Sequence, residues 1–137
     1  MSQSTQQFEL LNGLALAYIG DAVYEVAIRD YLIRQGNTKP NMLHRKATRY
    51  VSAKGQAWLI KSMIEEAILT DREAEIYRRG RNAKSHTTAK NADVMTYRHS
   101  TGFEALFGYL HLTEQQQRLE ELVAYCIEKV EEIHGKK

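Results

Sequence analysis

A single proline, Pro40, interrupts the 137 residues. The long stretches on either side of it carry apolar side chains at steps of three and four. Leu11, Leu14, Ala15, Tyr18, Ala22, Ile28 and Leu32 are the first such series. This spacing lines one face of a 3.6-residue helix and turns it toward a core. The period-two alternation of a half-buried strand is scarce. The pattern predicts an all-α chain, a helical bundle, with residues 1–137 forming one domain.

The first helix is expected over Phe8–Gln35, closed by Gly36 and Asn37, which tolerate a left-handed cap. Pro40 suits the first turn of the next helix, which is expected over Asn41–Glu66 with a break near Gly55. Thr70 and Glu73 stand at capping-box spacing, and the helix they open is expected to end at Gly80. Arg81 to His99 has no apolar stripe and reads as a loop of about 18 residues; loops of that length in compact domains are usually functional or disordered. Helix resumes at Thr101, and Thr113 is expected to cap the last one. Leu119, Leu122, Val123, Cys126, Ile127, Val130 and Ile133 form that helix's apolar stripe.

Composition excludes several classes. The single cysteine, Cys126, rules out an internal disulfide and a cysteine zinc site, and fits a reducing compartment. No run of ~18 apolar residues appears, so no membrane association is expected. The polar, uncharged start lacks the basic end and apolar centre of a signal peptide, so the expected location is cytoplasmic. The formal charge of +2 is an average. Lys39 to Arg98 holds 13 basic and 6 acidic residues, whereas the rest holds 6 basic and 11 acidic. A basic middle between acidic ends suggests a face for a polyanion.

Two acids stand out inside apolar helical stretches. Asp21 follows Gly20, a residue that costs a mid-helix position about 1 kcal/mol relative to Ala and so implies a close approach. Glu104 is the only acid between Asp93 and Glu114. Each has a structural alternative: Asp21 can sit on an exposed helix edge, and Glu104 stands at capping-box spacing from Thr101. Two carboxylates on separate helices can also share a hard cation such as Mg²⁺. Such a cation activates water and neutralises phosphate charge in phosphodiester hydrolysis.

The segment Tyr18-Ile19-Gly20-Asp21-Ala22 resembles the signature of the ribonuclease III endonuclease domain, and Phe103-Glu104-Ala105-Leu106 resembles its second catalytic box. The likeness to the Mini-ribonuclease III subfamily is closer still. It extends to Leu11–Ala22 and, in the long loop, to Arg79–Ser85 and Asn91–Arg98. The resemblance implies a homodimeric all-α nuclease domain without a double-stranded RNA-binding domain. It implies Asp21 and Glu104 as catalytic residues and ligands of Mg²⁺, with Mn²⁺ able to substitute. The implied reaction is cleavage of double-stranded RNA, maturing both ends of large-subunit (23S) ribosomal RNA precursors. The large ribosomal subunit or a ribosomal protein is expected to present that substrate. Tyr18 and Gly20 are expected at the dimer interface.

Two positions depart from the larger family. Ala17 and Thr101 stand where it has a Glu and an Asp, which favours one metal ion per site over two. The same departures motivate the alternative of a non-catalytic, ribosome-associated RNA-binding module. Glu25, one turn after Asp21, is more simply a salt-bridge partner than a ligand. Asp93 is read as making a structural loop hydrogen bond. Arg79, Arg81, Asn82, Lys84, Ser85, Lys90 and Arg98 supply the donors that phosphates and 2′-hydroxyls accept, the alternative being a solvated loop. His44, Arg45, Lys46 and Arg49 form a second basic patch, or simply an exposed helix face.

Overall fold

A computed structural model describes residues 7–84 and 93–135, which hold six α-helices and no strand. After a 3-10 turn at Gln7–Leu10, the helices are α1 (Gly13–Arg34), α2 (Pro40–Val51), α3 (Ala53–Glu65), α4 (Asp71–Arg81), α5 (Val94–Leu112) and α6 (Gln116–His134). Helices α1 and α5 cross at the centre. α3 and α4 flank α5, α2 lies on α1, and α6 closes the base. Tyr24 of α1 packs between Phe103 and Phe107 of α5, at ring-centroid separations of 4.7 and 5.1 Å. Its hydroxyl donates to the Tyr50 carbonyl at 3.1 Å, so a buried polar group is satisfied. Cys126 is buried and unpaired, as expected.

Local chemistry sets the boundaries. Asn12 caps α1 by accepting from the Ala15 N–H at 2.9 Å, so the helix begins at Gly13 rather than Phe8. Ser52 breaks the second stretch: its extended backbone ends α2 while its hydroxyl accepts from Gly55 N–H at 3.0 Å and starts α3. The Thr70–Glu73 capping box forms as predicted, and α4 continues one residue past Gly80.

The last part of the expected loop, Val94 to His99, is helical, and its residues 85–92 lie outside the described residues. Asp93 caps α5 by accepting from Thr96 N–H at 2.7 Å, which is the structural role foreseen for it. Helix α5 therefore starts at Val94. Thr101 lies inside it and donates to the Tyr97 carbonyl at 3.0 Å, so no capping box joins Thr101 to Glu104. Thr113 also differs from expectation. It donates to the Tyr109 carbonyl at 2.7 Å at the end of α5 instead of capping α6.

The Glu73 carboxylate does more than cap. It is 4% exposed and accepts two bonds of 2.8 Å from the Arg118 guanidinium, which also donates to the Ile68 carbonyl at 2.7 Å. Burial raises this acid's pKa, but the Arg118 bonds and the Thr70 N–H outweigh burial and hold it below the usual value. The stability it contributes is therefore present above the ordinary carboxylate range and lost as pH falls through the depressed value. Removing one partner of a buried pair strands the other charge. Arg118→Met should cost about 3–5 kcal/mol in urea unfolding at neutral pH; a loss below ~1 kcal/mol, the scale of a surface pair, would contradict this role.

Candidate active site

The crossing of α1 and α5 is built on glycine. A Cβ on Gly20 would lie 1.7 Å from the Glu104 carbonyl oxygen and 2.7 Å from Gly108 N. A Cβ on Gly108 would lie 1.9 Å from the Leu16 carbonyl oxygen. Only hydrogen fits at either position, so the two backbones touch. Asp21, next in sequence to Gly20, is thereby set beside Glu104. The expectation that Gly20 serves a dimer interface is corrected here: Gly20 is buried against α5 of its own chain.

Asp21 is exposed and Glu104 is half-buried. Burial pushes the Glu104 carboxyl up. The Asp21 carboxylate, within hydrogen-bonding reach, raises it further, and Glu25 adds to the effect; the result is a pKa of about 8. Among the described residues no cation pairs with either Asp21 or Glu104. Glu25 is engaged with Arg29 at 2.6 Å on the same helix. Ala17 and Thr101 are both buried. No three His, Cys, Asp or Glu side chains converge among the described residues. The donor set is two oxygen-bearing side chains without a compensating positive charge.

One neighbour was not legible as functional. Gln56 of α3 is 1% exposed, and its Nε2 is buried with no hydrogen-bond partner among the described residues. The amide faces Glu104 closely enough to favour the charged carboxylate, yet the geometry of a formed bond is not reached. A signal existed in the sequence. Gln56 occupies the core-facing stripe that continues through Leu59, Ile60 and Met63, where a polar residue is out of place.

The basic residues divide. Arg79 donates to the Glu9 carbonyl at 2.8 Å and the Leu11 carbonyl at 3.0 Å, so it ties the 3-10 turn to α4. Arg81 lies over the Tyr77 ring at 5.5 Å and donates to Asn82 Oδ1 at 3.1 Å. Lys84, Asn82 and Arg98 are not buried. Ser85 and Lys90 lie outside the described residues. Lys61 of α3 joins this corner: burial, Lys61 and Arg81 together hold the His99 ring below its usual pKa. In the second patch, Lys46 donates to Asn37 Oδ1 at 2.9 Å, while His44 and Arg45 are not buried. On the outer side of α1, Leu14, Tyr18, Ala22 and Val26 form a stripe at four-residue spacing, with Tyr18 83% exposed.

No helix among the described residues is long and apolar enough to cross a membrane. Residues 14–115 match the family model of the ribonuclease III domain. The chain is 63% identical to Mini-ribonuclease 3 of Enterococcus faecalis over 96% of this chain and 99% of that protein. It is 66% identical to Mini-ribonuclease 3 of Streptococcus pneumoniae over 89% of this chain and 95% of that protein. The crystal structure of protein FN1578 from Fusobacterium nucleatum superposes with a TM-score of 0.77 at 28% identity, covering 88% of this chain and 94% of that one. The crossed-helix domain is thus that of an endoribonuclease family, and the chain belongs to the ribonuclease III domain family, among the Mini-ribonuclease 3 proteins.

Proposed function

We propose that Asp21 and Glu104 are the catalytic acids of this nuclease and that they hold one divalent cation, Mg²⁺ or in its place Mn²⁺. The observation that carries the proposal is the pair itself: two carboxylates pressed together with no positive partner among the described residues. Hard oxygen donors with an unmet need for positive charge suit such an ion. When bound, it would supply Lewis-acid polarisation of a phosphate and activation of water. Asp21, being exposed, meets the substrate side first. Glu104 must lose its proton to serve as a ligand, and the half-buried setting keeps its carboxyl in one place.

The substrate proposed is double-stranded RNA in the large-subunit (23S) ribosomal precursor, processed in the cytoplasm and presented by the large subunit or one of its proteins. The 63% identity to a Mini-ribonuclease 3 supports this reading. Within this domain the basic corner is assigned the grip on RNA. Lys61, Arg81, Asn82, Lys84 and Arg98 are assigned to backbone and 2′-hydroxyl contacts; Arg79 is omitted because its guanidinium holds the chain start. Arg98 lies about 9 Å of helix rise from Glu104, close enough to grip the same strand. Hydrogen bonds to base edges are not needed, because an A-form duplex is read by shape and backbone.

A second copy is proposed to cover the Leu14–Tyr18–Ala22–Val26 stripe, giving a homodimer with one site for each strand. Tyr18→Asp should then yield a monomer in sedimentation; a dimer surviving that change would exclude this face. Replacing Arg81, Lys84 and Arg98 by Ala should weaken RNA binding and reduce the slope of log affinity against log salt by about one for each phosphate no longer neutralised. An unchanged slope would remove the basic corner from the interface.

The functional test is cleavage of end-labelled duplex and ribosome-assembled precursor with Mg²⁺. Wild-type protein should release fragments with 5′-phosphates, and Asp21→Asn should not. Cleavage by Asp21→Asn at the wild-type rate would end the site assignment. RNA binding with no cleavage on either substrate, indifferent to Mg²⁺, would instead support the non-catalytic module suggested by Ala17 and Thr101.

A further inference from the structure

Gln56 has no explanation in the packing of the core. It projects from α3 into the ground between α3 and α5, at 1% exposure. A buried amide donor without a partner is destabilising, and most buried polar groups avoid that cost. Leu or Met would fill the same volume at no such cost. The helix that carries Gln56 packs against α5, and the amide lies near enough to the half-buried Glu104 carboxyl to favour its charged form.

We propose that Gln56 is a positioning residue for the site: its Nε2 donates to one oxygen of Glu104, and so leaves the other oxygen turned toward Asp21 and a shared cation. The proposal rests on the reading of Asp21 and Glu104 as the metal-holding pair. In the metal-free protein Asp21 lies within reach of Glu104, and the Gln56 donor has no partner among the described residues. A cation held by Asp21 and Glu104 would draw one Glu104 oxygen to itself and would leave the other for the buried amide. Gln56 is too deeply buried to touch RNA, so it acts only through Glu104. Outer partners of this kind fix the orientation of ligating side chains.

The experiment compares wild type with Gln56→Leu and Gln56→Met in three measurements. Thermal unfolding without metal reports the fold. Titration with Mn²⁺ alone, followed by electron paramagnetic resonance, reports affinity for the ion. Steady-state cleavage of duplex RNA separates KM from kcat. Both variants should be at least as heat-stable as wild type, because an unpartnered amide is removed. Each should bind Mn²⁺ about 10–100-fold more weakly, with kcat lowered at subsaturating metal and KM for RNA unchanged. Wild-type Mn²⁺ affinity in both variants would overturn the positioning role, as would unfolding of both in the absence of metal, which would make Gln56 a packing residue. Failure of the wild type itself to bind Mn²⁺ would instead overturn the underlying metal-pair reading, so the two failures are distinguishable.

Discussion

Glu104→Gln should stop cleavage and, without metal, make the protein more stable. The two effects share one cause. Glu104 is half-buried beside Asp21 with no cation among the described residues to offset it, and burial first, then Asp21, raise its pKa to about 8. An acid whose pKa is higher in the folded chain than in the unfolded one binds its proton more tightly when folded. Stability therefore falls as pH rises from the ordinary carboxylate range to about 8, and the full penalty applies above that. A glutamine carries no charge to bury. At pH 8.5 the variant should gain roughly 3 kcal/mol, and its stability should lose the slope between pH 5 and pH 8 shown by the wild type, roughly the window that the pKa shift sets.

In cleavage, loss of a ligand to the cation should remove about 4 kcal/mol of transition-state stabilisation, about 10³-fold in rate. Saturating Mg²⁺ should raise the melting temperature of wild type and leave Glu104→Gln nearly unchanged. Urea unfolding across pH and single-turnover cleavage check both halves. A variant that is less stable than wild type at pH 8.5, or that cuts at the wild-type rate, would contradict the role given to Glu104.

The second large effect is expected at Gly20. In an ordinary helix Gly→Ala stabilises by about 1 kcal/mol. Here the new methyl would stand 1.7 Å from a backbone oxygen of α5. Neither helix can yield by a rotamer change, because backbone meets backbone. The helices must separate along the most extensive packing surface in the fold. Overpacking commonly costs about 1–3 kcal/mol and sometimes more, and Gly20→Ala should lie at or above ~3 kcal/mol, lowering the melting temperature by roughly 10 °C. The same displacement would carry Asp21 away from Glu104, so residual folded protein should cleave poorly. Gly108→Ala should behave alike, since its methyl would meet the Leu16 carbonyl at 1.9 Å. A neutral or stabilised Gly20→Ala would mean that the helices do not cross as described.

Much of the fold was readable from residue order. Helical periodicity gave the bundle, Thr70 and Glu73 gave a cap, and Gly20-Asp21 and Glu104 gave two acids that the fold does bring together. The misreadings have physical causes. Helix α5 opens with Val94 and Met95, which are exposed, and continues through Thr96, Arg98, His99 and Ser100, so its first turns show no core-facing apolar stripe and read as a loop; the single Asp93 cap is enough to start it. Gly20 announced a close approach, but a sequence cannot say whether the approaching backbone is its own or a partner's. Arg79 looks like its basic neighbours until its hydrogen bonds to Glu9 and Leu11 are seen. Gln56 carries no charge and belongs to no motif, so its meaning depends on one buried amide nitrogen that has no hydrogen-bond partner among the described residues.

The central claim is that Asp21 and Glu104 share a divalent cation. Crystals of the wild-type protein soaked in Mn²⁺ and measured for anomalous scattering test it directly. One peak is expected between the two carboxylates, absent in Asp21→Asn and in Glu104→Gln. A peak bound elsewhere with none at this pair, or one that persists in both variants, would contradict it.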